Sequence, residues 1–192
     1  MAQEAKMAGR FVRHRIEALA GGGDAASRAT LAILRRGIGR LPGSMPELWS
    51  ATFRGMPEEM MGTGKTPTRA EWAVHIGLTL FALHQQGNSP KEKCMHQEGR
   101  SLGASVRALI HNDDDEARVK RRFDAVATSD GLPELASHLR GLVQLFKSEG
   151  IGLDYAQLTE DVYRFQFPEA RDSVRLNWGR DFYRSGQAED AE

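Results

Sequence analysis

The stretch from about residue 69 to residue 86 constrains the possible folds more than any other part of this sequence. Thr68, followed three residues later by Glu71, is a capping-box pattern, which begins a helix. The apolar residues of the stretch occupy more than one face of that helix. They are Trp72, Val74, Ile76, Leu78, Leu80, Phe81 and Leu83. A helix that is apolar on several faces must be covered by neighbours, so the sequence predicts a helical bundle built around this element.

Other segments predict helices with a single apolar face. The most regular has its apolar stripe over residues 132–146, with Asp130 as the expected N-cap and Gly150 as the expected stop. A second capping-box pattern, Asp154 with Gln157, precedes the next helix. Further stripes indicate helices over about 7–20, 25–37, 102–110 and 174–182. Ala and Leu together number 41 and Val and Ile 14, so composition also favours helices over strands.

Breaks in these patterns divide the chain. Residues 39–67 are rich in Gly, Pro and Met and predict short helices and loops, and residues 86–97 predict a polar loop. The acidic break at residues 112–115 is the expected domain boundary. The sequence therefore predicts an all-α fold of two small helical bundles in one chain. They are an N-terminal helical bundle over residues 1–112 and a C-terminal helical bundle over residues 113–184, followed by a disordered tail over 185–192.

No motif carries catalytic or metal-binding chemistry. The string Gly64-Lys65-Thr66 ends like a phosphate-binding loop, but Glu59 stands where that motif needs a glycine. The six histidines do not pair at the spacing of a zinc site, and no nucleophile elbow is present. We therefore expect no enzyme activity, no catalytic residue, no metal site and no cofactor.

The sequence also indicates where the protein works. Cys94 is the single cysteine, so no internal disulfide can form, as is usual in a reducing compartment. No stretch approaches the roughly 18 apolar residues that span a bilayer, and the N-terminus lacks the pattern of a secretory signal. We expect a cytoplasmic protein with no membrane partner.

The net charge of zero hides an uneven distribution. Residues 1–112 carry 15 basic and 9 acidic side chains, whereas residues 113–192 carry 11 basic and 17 acidic ones. Arginine supplies 20 of the 26 basic residues, and its planar guanidinium can bind phosphate in a bidentate manner. The same excess of arginine over lysine also fits a G+C-rich genome, so composition leaves both interpretations open.

Clustered arginines are the one enriched signal. The pairs Arg35-Arg36 and Arg121-Arg122 lie in helical segments, and Arg100 and Arg107 lie two turns apart. One interpretation is a basic helical surface that binds phosphates. The other is an ordinary solvated helix face with internal ion pairs, which spacing alone favours.

A set of ordered strings identifies a resemblance. Arg100-Ser101-Leu102-Gly103 precedes Arg121-Arg122-Phe123, Leu139-Arg140, the GIGLDY string of residues 150–155, and the VRLNWGRDFY string of residues 174–183. In this order and spacing the chain resembles the CasB family, the small subunit of the type I-E CRISPR Cascade complex. The resemblance is good over about residues 69–184 and weaker over 10–37.

The resemblance implies a function without enzymatic activity. Members of the family are built from two helical bundles, and two copies lie head to tail within Cascade. The implied partners are the other Cascade subunits, guide RNA, the target and non-target DNA strands, and a second copy of the chain. The implied role is to stabilise the guide RNA–target DNA heteroduplex and the displaced strand in antiviral defence.

The resemblance and the arginine pattern together select nine candidate nucleic-acid-binding residues, which we expect to form one continuous surface track. Gly141 follows Arg140 where some family members carry a second basic residue, so that contact is in doubt. The candidates are Arg35, Arg36, Arg69, Arg100, Arg107, Arg121, Arg122, Arg140 and Arg171.

Two rival functions stay open from the sequence. A helical DNA-binding transcriptional regulator would need a helix-turn-helix with base-reading side chains, and no clear candidate is present. An enzyme with a site assembled across helices would need a deep pocket of carboxylates with strongly shifted pKa values.

Overall fold

A computed structural model describes residues 1–189 and their side chains, except those of Asp113 and residues 185–189. The described chain is all-α, which confirms the predicted fold class. Its single strand-like feature is an isolated bridge between His96 and Leu153. The α-helices are α1 (Ala2–Gly21), α2 (Asp24–Arg36), α3 (Trp49–Thr52), α4 (Arg69–His84), α5 (Leu102–Arg107), α6 (Asp113–Ala127), α7 (Leu132–Glu149), α8 (Tyr155–Phe165) and α9 (Pro168–Glu189).

Helix α4 is the centre of the fold, as its apolar pattern predicts. It packs against α1, α2, α7 and α8, and every residue from Ala73 to Ala82 is buried. The capping box is complete: the Thr68 hydroxyl accepts a hydrogen bond from the backbone N–H of Glu71, and the Glu71 carboxylate accepts one from that of Thr68. The helix ends at His84, two residues earlier than expected.

Helix α7 ends at the predicted residue and begins one residue later than predicted. Gly150 adopts the left-handed conformation with a φ of 68°, which favours glycine and stops the helix. The expected N-cap Asp130 was wrong: Gly131 is the N-cap, and the backbone N–H of Asp130 donates to the Glu134 carboxylate. Pro133 in the first turn fits this start, because its missing N–H would have no helical partner there.

Residues 39–67 form short elements that cover the N-terminal helices. Two 3-10 turns, Pro46–Leu48 and Glu58–Met60, flank α3. Met56 and Met60 are buried in the core, so the methionine-rich segment contributes to packing. Residues 86–97 form the expected loop, which the Gln85 side chain fixes by bonding the carbonyl of Lys93 and the N–H of Met95.

The two sides of the predicted boundary share one hydrophobic core. Helix α1 packs along α8, and α5 packs along α9 so closely that a Cβ on Gly103 would contact the backbone of Trp178 and Phe182. The division into two bundles at residue 112 stays a prediction. The predicted disordered tail, residues 185–192, begins within α9. Its last three residues, 190–192, lie outside the described residues. None of the described helices is long and apolar enough to cross a membrane.

Candidate nucleic-acid interface

The structure brings Arg69 and Arg171 to the same place, the turn between α8 and α9. The Arg69 guanidinium lies 4.4 Å from the centroid of the Phe167 ring, and that of Arg171 lies 4.8 Å from the Phe165 ring. Arg171 also donates from Nε to the carbonyl of Phe165 at 3.3 Å. Cation–π contacts leave part of each guanidinium edge open, so both side chains are held in place while they can still meet phosphate.

Two more arginines surround this turn. Arg164 donates to the Ser173 hydroxyl at 2.9 Å, and Arg175 donates to the carbonyl of Ser129 at 2.9 Å and pairs with Asp172. Neither is among the nine candidates predicted from the sequence. The four-residue interval from Arg171 to Arg175 puts both on one helix face and could have identified Arg175.

Arg140 lies opposite Arg40, which is not among the nine predicted candidates. Arg140 on α7 and Arg40, in the segment after α2, line the same cleft. Both side chains are exposed, and neither forms an ion pair with any described residue. Sequence spacing could not reveal this pair, because 100 positions separate its members.

The pair Arg35-Arg36 divides into two different roles. Arg35 is half-buried, and its guanidinium lies 3.4 Å from the carbonyl of Ala82, near the end of α4. Arg36 is exposed and pairs with Glu47 at 3.0 Å. An exposed ion pair of this kind contributes little stability, so Arg36 can exchange Glu47 for a phosphate at small cost.

Arg121 and Arg122 lie together on the exposed face of α6, and neither has an acidic partner in the described part of the chain. Their neighbours on that helix are paired: Arg118 with Asp115 at 2.6 Å and Lys120 with Asp124 at 2.8 Å. Hydrogen bonding to Asp124 raises the pKa of Lys120.

Arg100 and Arg107 are less accessible than exposed candidates such as Arg121 and Arg122. Both are half-buried beside α5, and the Nε of each is buried without a hydrogen-bond partner among the described residues. Arg100 precedes α5 and Arg107 is its last residue, and α5 packs against α9. No described contact connects them, or Arg121 and Arg122, to the arginines at the α8–α9 turn.

A polar cleft of about 370 Å³ is lined by carboxylates and is therefore the part of the structure that could hold an enzyme site. Asp154 and Asp161 line it, and burial raises the pKa of Asp161 to about 6. Both carboxylates are engaged, however. Asp154 caps α8 and accepts from the N–H of Gly99, whereas Asp161 accepts from Trp178 and Gln157. These carboxylates bind groups of the protein itself, which favours a structural role over catalysis.

Within the described residues, no group of His, Cys, Asp and Glu side chains is arranged to hold a metal ion. The chemistry that the exposed arginines offer is anion binding: guanidinium groups on several helices, held by rings, carbonyls or weak ion pairs.

The fold and sequence are similar to known proteins. A family model described as CRISPR-associated protein Cse2 matches residues 30–183. The crystal structure of CasB from Thermobifida fusca matches with a TM-score of 0.73 and 34% identity, over 92% of this chain and 98% of that one.

Two further solved structures resemble the chain. A CRISPR-associated protein of the Cse2 family from Thermus thermophilus matches with a TM-score of 0.65 and 25% identity, over 91% of this chain and 97% of that chain. CasB from M. ruber has a TM-score of 0.69 at 22% identity, over 94% and 96%, and shows the fold alone. No curated protein sequence matches this one.

Proposed function

The chain belongs to the CRISPR-associated Cse2 (CasB) family, and from this membership we propose that it is a non-catalytic small subunit of a type I-E Cascade complex. In that complex it binds nucleic-acid backbones through surface arginines. It thereby stabilises the heteroduplex of guide RNA with target DNA and the displaced DNA strand. The other Cascade subunits and a second copy of this chain are its protein partners, and the assembly works in the cytoplasm.

The observation that carries the proposal is that Arg40, Arg121, Arg122 and Arg140 are exposed and that none of these four pairs with an Asp or Glu among the described residues. A guide-directed complex reads sequence by base pairing, so its proteins need only to recognise shape and backbone. Arginines without internal partners supply that contact because they lose no ion pair when a phosphate arrives.

The ring-bound arginines support the same function in a different way. Arg69 and Arg171 are held against Phe167 and Phe165, so less side-chain entropy is lost when they bind a strand. Arg35 stays among the candidates, although its bond to the Ala82 carbonyl also gives it a structural role. Arg100 and Arg107 are weaker candidates because the Nε of each is buried without a hydrogen-bond partner among the described residues.

The pair on α6 provides the sharpest test. We expect the double variant Arg121→Ala and Arg122→Ala to weaken retention of target DNA by the assembled complex. Each lost contact should reduce the slope of log affinity against log salt by about 0.7 for a single strand or about 0.9 for duplex DNA. Measuring DNA affinity at several salt concentrations gives both quantities.

Arg118→Ala is the matched comparison on the same helix: because Arg118 must leave Asp115 before it meets a phosphate, its loss should lower the affinity and the salt slope less than the double variant does. Unchanged affinity and salt slope in the double variant would contradict the role of Arg121 and Arg122. A sequence-specific duplex footprint by the isolated chain would instead favour a transcriptional regulator.

A further inference from the structure

A mostly apolar cleft lies between the segment after α2, helix α4 and the start of α7. Its volume is about 270 Å³, slightly below the roughly 300 Å³ at which sites for drug-sized ligands begin. Trp72 is half-buried in its wall. The other apolar groups of the lining come from all three segments: Ile38, Ile76, Leu80, Pro133 and Ala136.

The rim of this cleft is positively charged. Arg40 and Arg140 line it from different segments, and no Asp or Glu is among the described residues that line it. Arg69 precedes Trp72 by three residues, so the two share a face of α4. An apolar slot with guanidinium groups at its edge complements a flat aromatic ring joined to anionic groups.

The two buried polar side chains of the cleft, His75 and Thr79, are already engaged. The His75 Nε2 lies 2.9 Å from the carbonyl of Gly37, and the Thr79 hydroxyl donates to the carbonyl of His75 at 2.7 Å. Burial lowers the pKa of His75, so it adds no charge to the interior at neutral pH. The interior therefore offers stacking and apolar contact, which every base accepts, and little that would distinguish one base from another.

We propose that this cleft binds one unstacked base of a nucleic-acid strand, with the base against Trp72 and its flanking phosphates at Arg40 and Arg140. The inference rests on the proposed function and adds a base-binding site to a surface that otherwise contacts only the backbone. The same chemistry is present in guide RNA, target DNA and the displaced strand, so the test distinguishes the three.

Photocrosslinking in the assembled complex tests the site directly. 5-Iodouracil is placed in the guide RNA, the target strand or the displaced strand in three separate preparations. We expect one preparation to crosslink to the α4 peptide that contains Trp72. Ala136→Leu fills the cleft from α7 while leaving Trp72 in place, and should reduce the yield about fivefold or more, the ratio that corresponds to one lost stacking contact.

Two further variants make the result specific. Trp72→Leu should abolish the crosslink, whereas Trp49→Leu alters an exposed tryptophan outside the cleft and should leave the yield unchanged. Thermal unfolding confirms that each variant folds. No crosslink to this peptide in any preparation, or a yield unaffected by Ala136→Leu, overturns the base site. If DNA binding still depends on the surface arginines, the base site fails but the proposed function survives. If DNA binding does not depend on those arginines either, the base site and the proposed function both fail.

Discussion

The indole Nε1 of Trp178 donates a 2.7 Å hydrogen bond to the carboxylate of Asp161, which connects α9 to α8 inside the core. The other oxygen of Asp161 accepts from Gln157 at 3.1 Å. Burial nevertheless raises the pKa of Asp161 from 3.8 to about 6, because two hydrogen bonds only partly replace water around the charge. The burial of this carboxyl group therefore makes stability depend on pH.

Asp161→Asn should change that dependence in a defined direction. The folded state binds the Asp161 proton more tightly than the unfolded state does, so its stabilising effect is complete below pH 3.8 and is lost as the pH rises through about 6. The shift corresponds to about 3 kcal/mol. Denaturant titration gives the difference in the free energy of unfolding between the wild type and Asp161→Asn. We expect this difference to fall by an amount on the order of 3 kcal/mol between pH 4 and pH 6. A constant difference would contradict the assignment.

His84 opposes this effect. It is fully buried with Nδ1 3.0 Å from the Tyr155 hydroxyl, and burial lowers its pKa to about 4. Because the folded state disfavours protonation of His84, the free energy of unfolding rises as the pH rises from about 4 to 6.5. We expect the two contributions to offset each other largely in the wild type. Asp161→Asn should then reveal stability that increases with pH, and His84→Leu the reverse.

Gly103 in α5 should be sensitive to substitution even by alanine. A Cβ there would contact the carbonyl oxygen of Trp178 and the backbone nitrogen of Phe182, so Gly103→Ala must separate α5 from α9. We expect a loss of about 1–3 kcal/mol in the free energy of unfolding. Gly141→Ala is the control, because none of the described atoms lies within 4 Å of its Cβ position in α7. It should stabilise by about 0.5–1 kcal/mol, and equal effects of the two variants would be inconsistent with this packing.

The cap of α4 should contribute measurably to stability. The Thr68 hydroxyl accepts from the N–H of Glu71 at 3.1 Å and donates to the carbonyl of Met60 at 2.7 Å. Thr68→Ala removes both bonds and should lower the free energy of unfolding by about 1–2 kcal/mol. Thr68→Ser keeps the hydroxyl and should behave nearly as the wild type in the same denaturant titration. A Ser variant as unstable as the Ala variant would assign the effect to the lost methyl group.

The sequence by itself determined the all-α class, the central position of α4, its capping box and the stop at Gly150. These features are local or periodic: a cap depends on residues three apart, and burial on the spacing of apolar side chains. The ordered strings from Arg100 to Tyr183 were also enough to indicate the family. The start of α7 was placed one residue early, because Asp130 and Gly131 both allow a cap and only the surrounding turn selects between them.

Only the tertiary structure decided how each arginine is used. Arg69 contacts Phe167, Arg36 contacts Glu47 and Arg140 faces Arg40 across a cleft, although helical spacing makes all of these arginines look alike. The physical reason is that a guanidinium's availability depends on the groups around it, and those groups come from distant parts of the chain. Sequence patterns indicate which helix face a residue occupies, whereas tertiary packing determines which other groups contact its side chain.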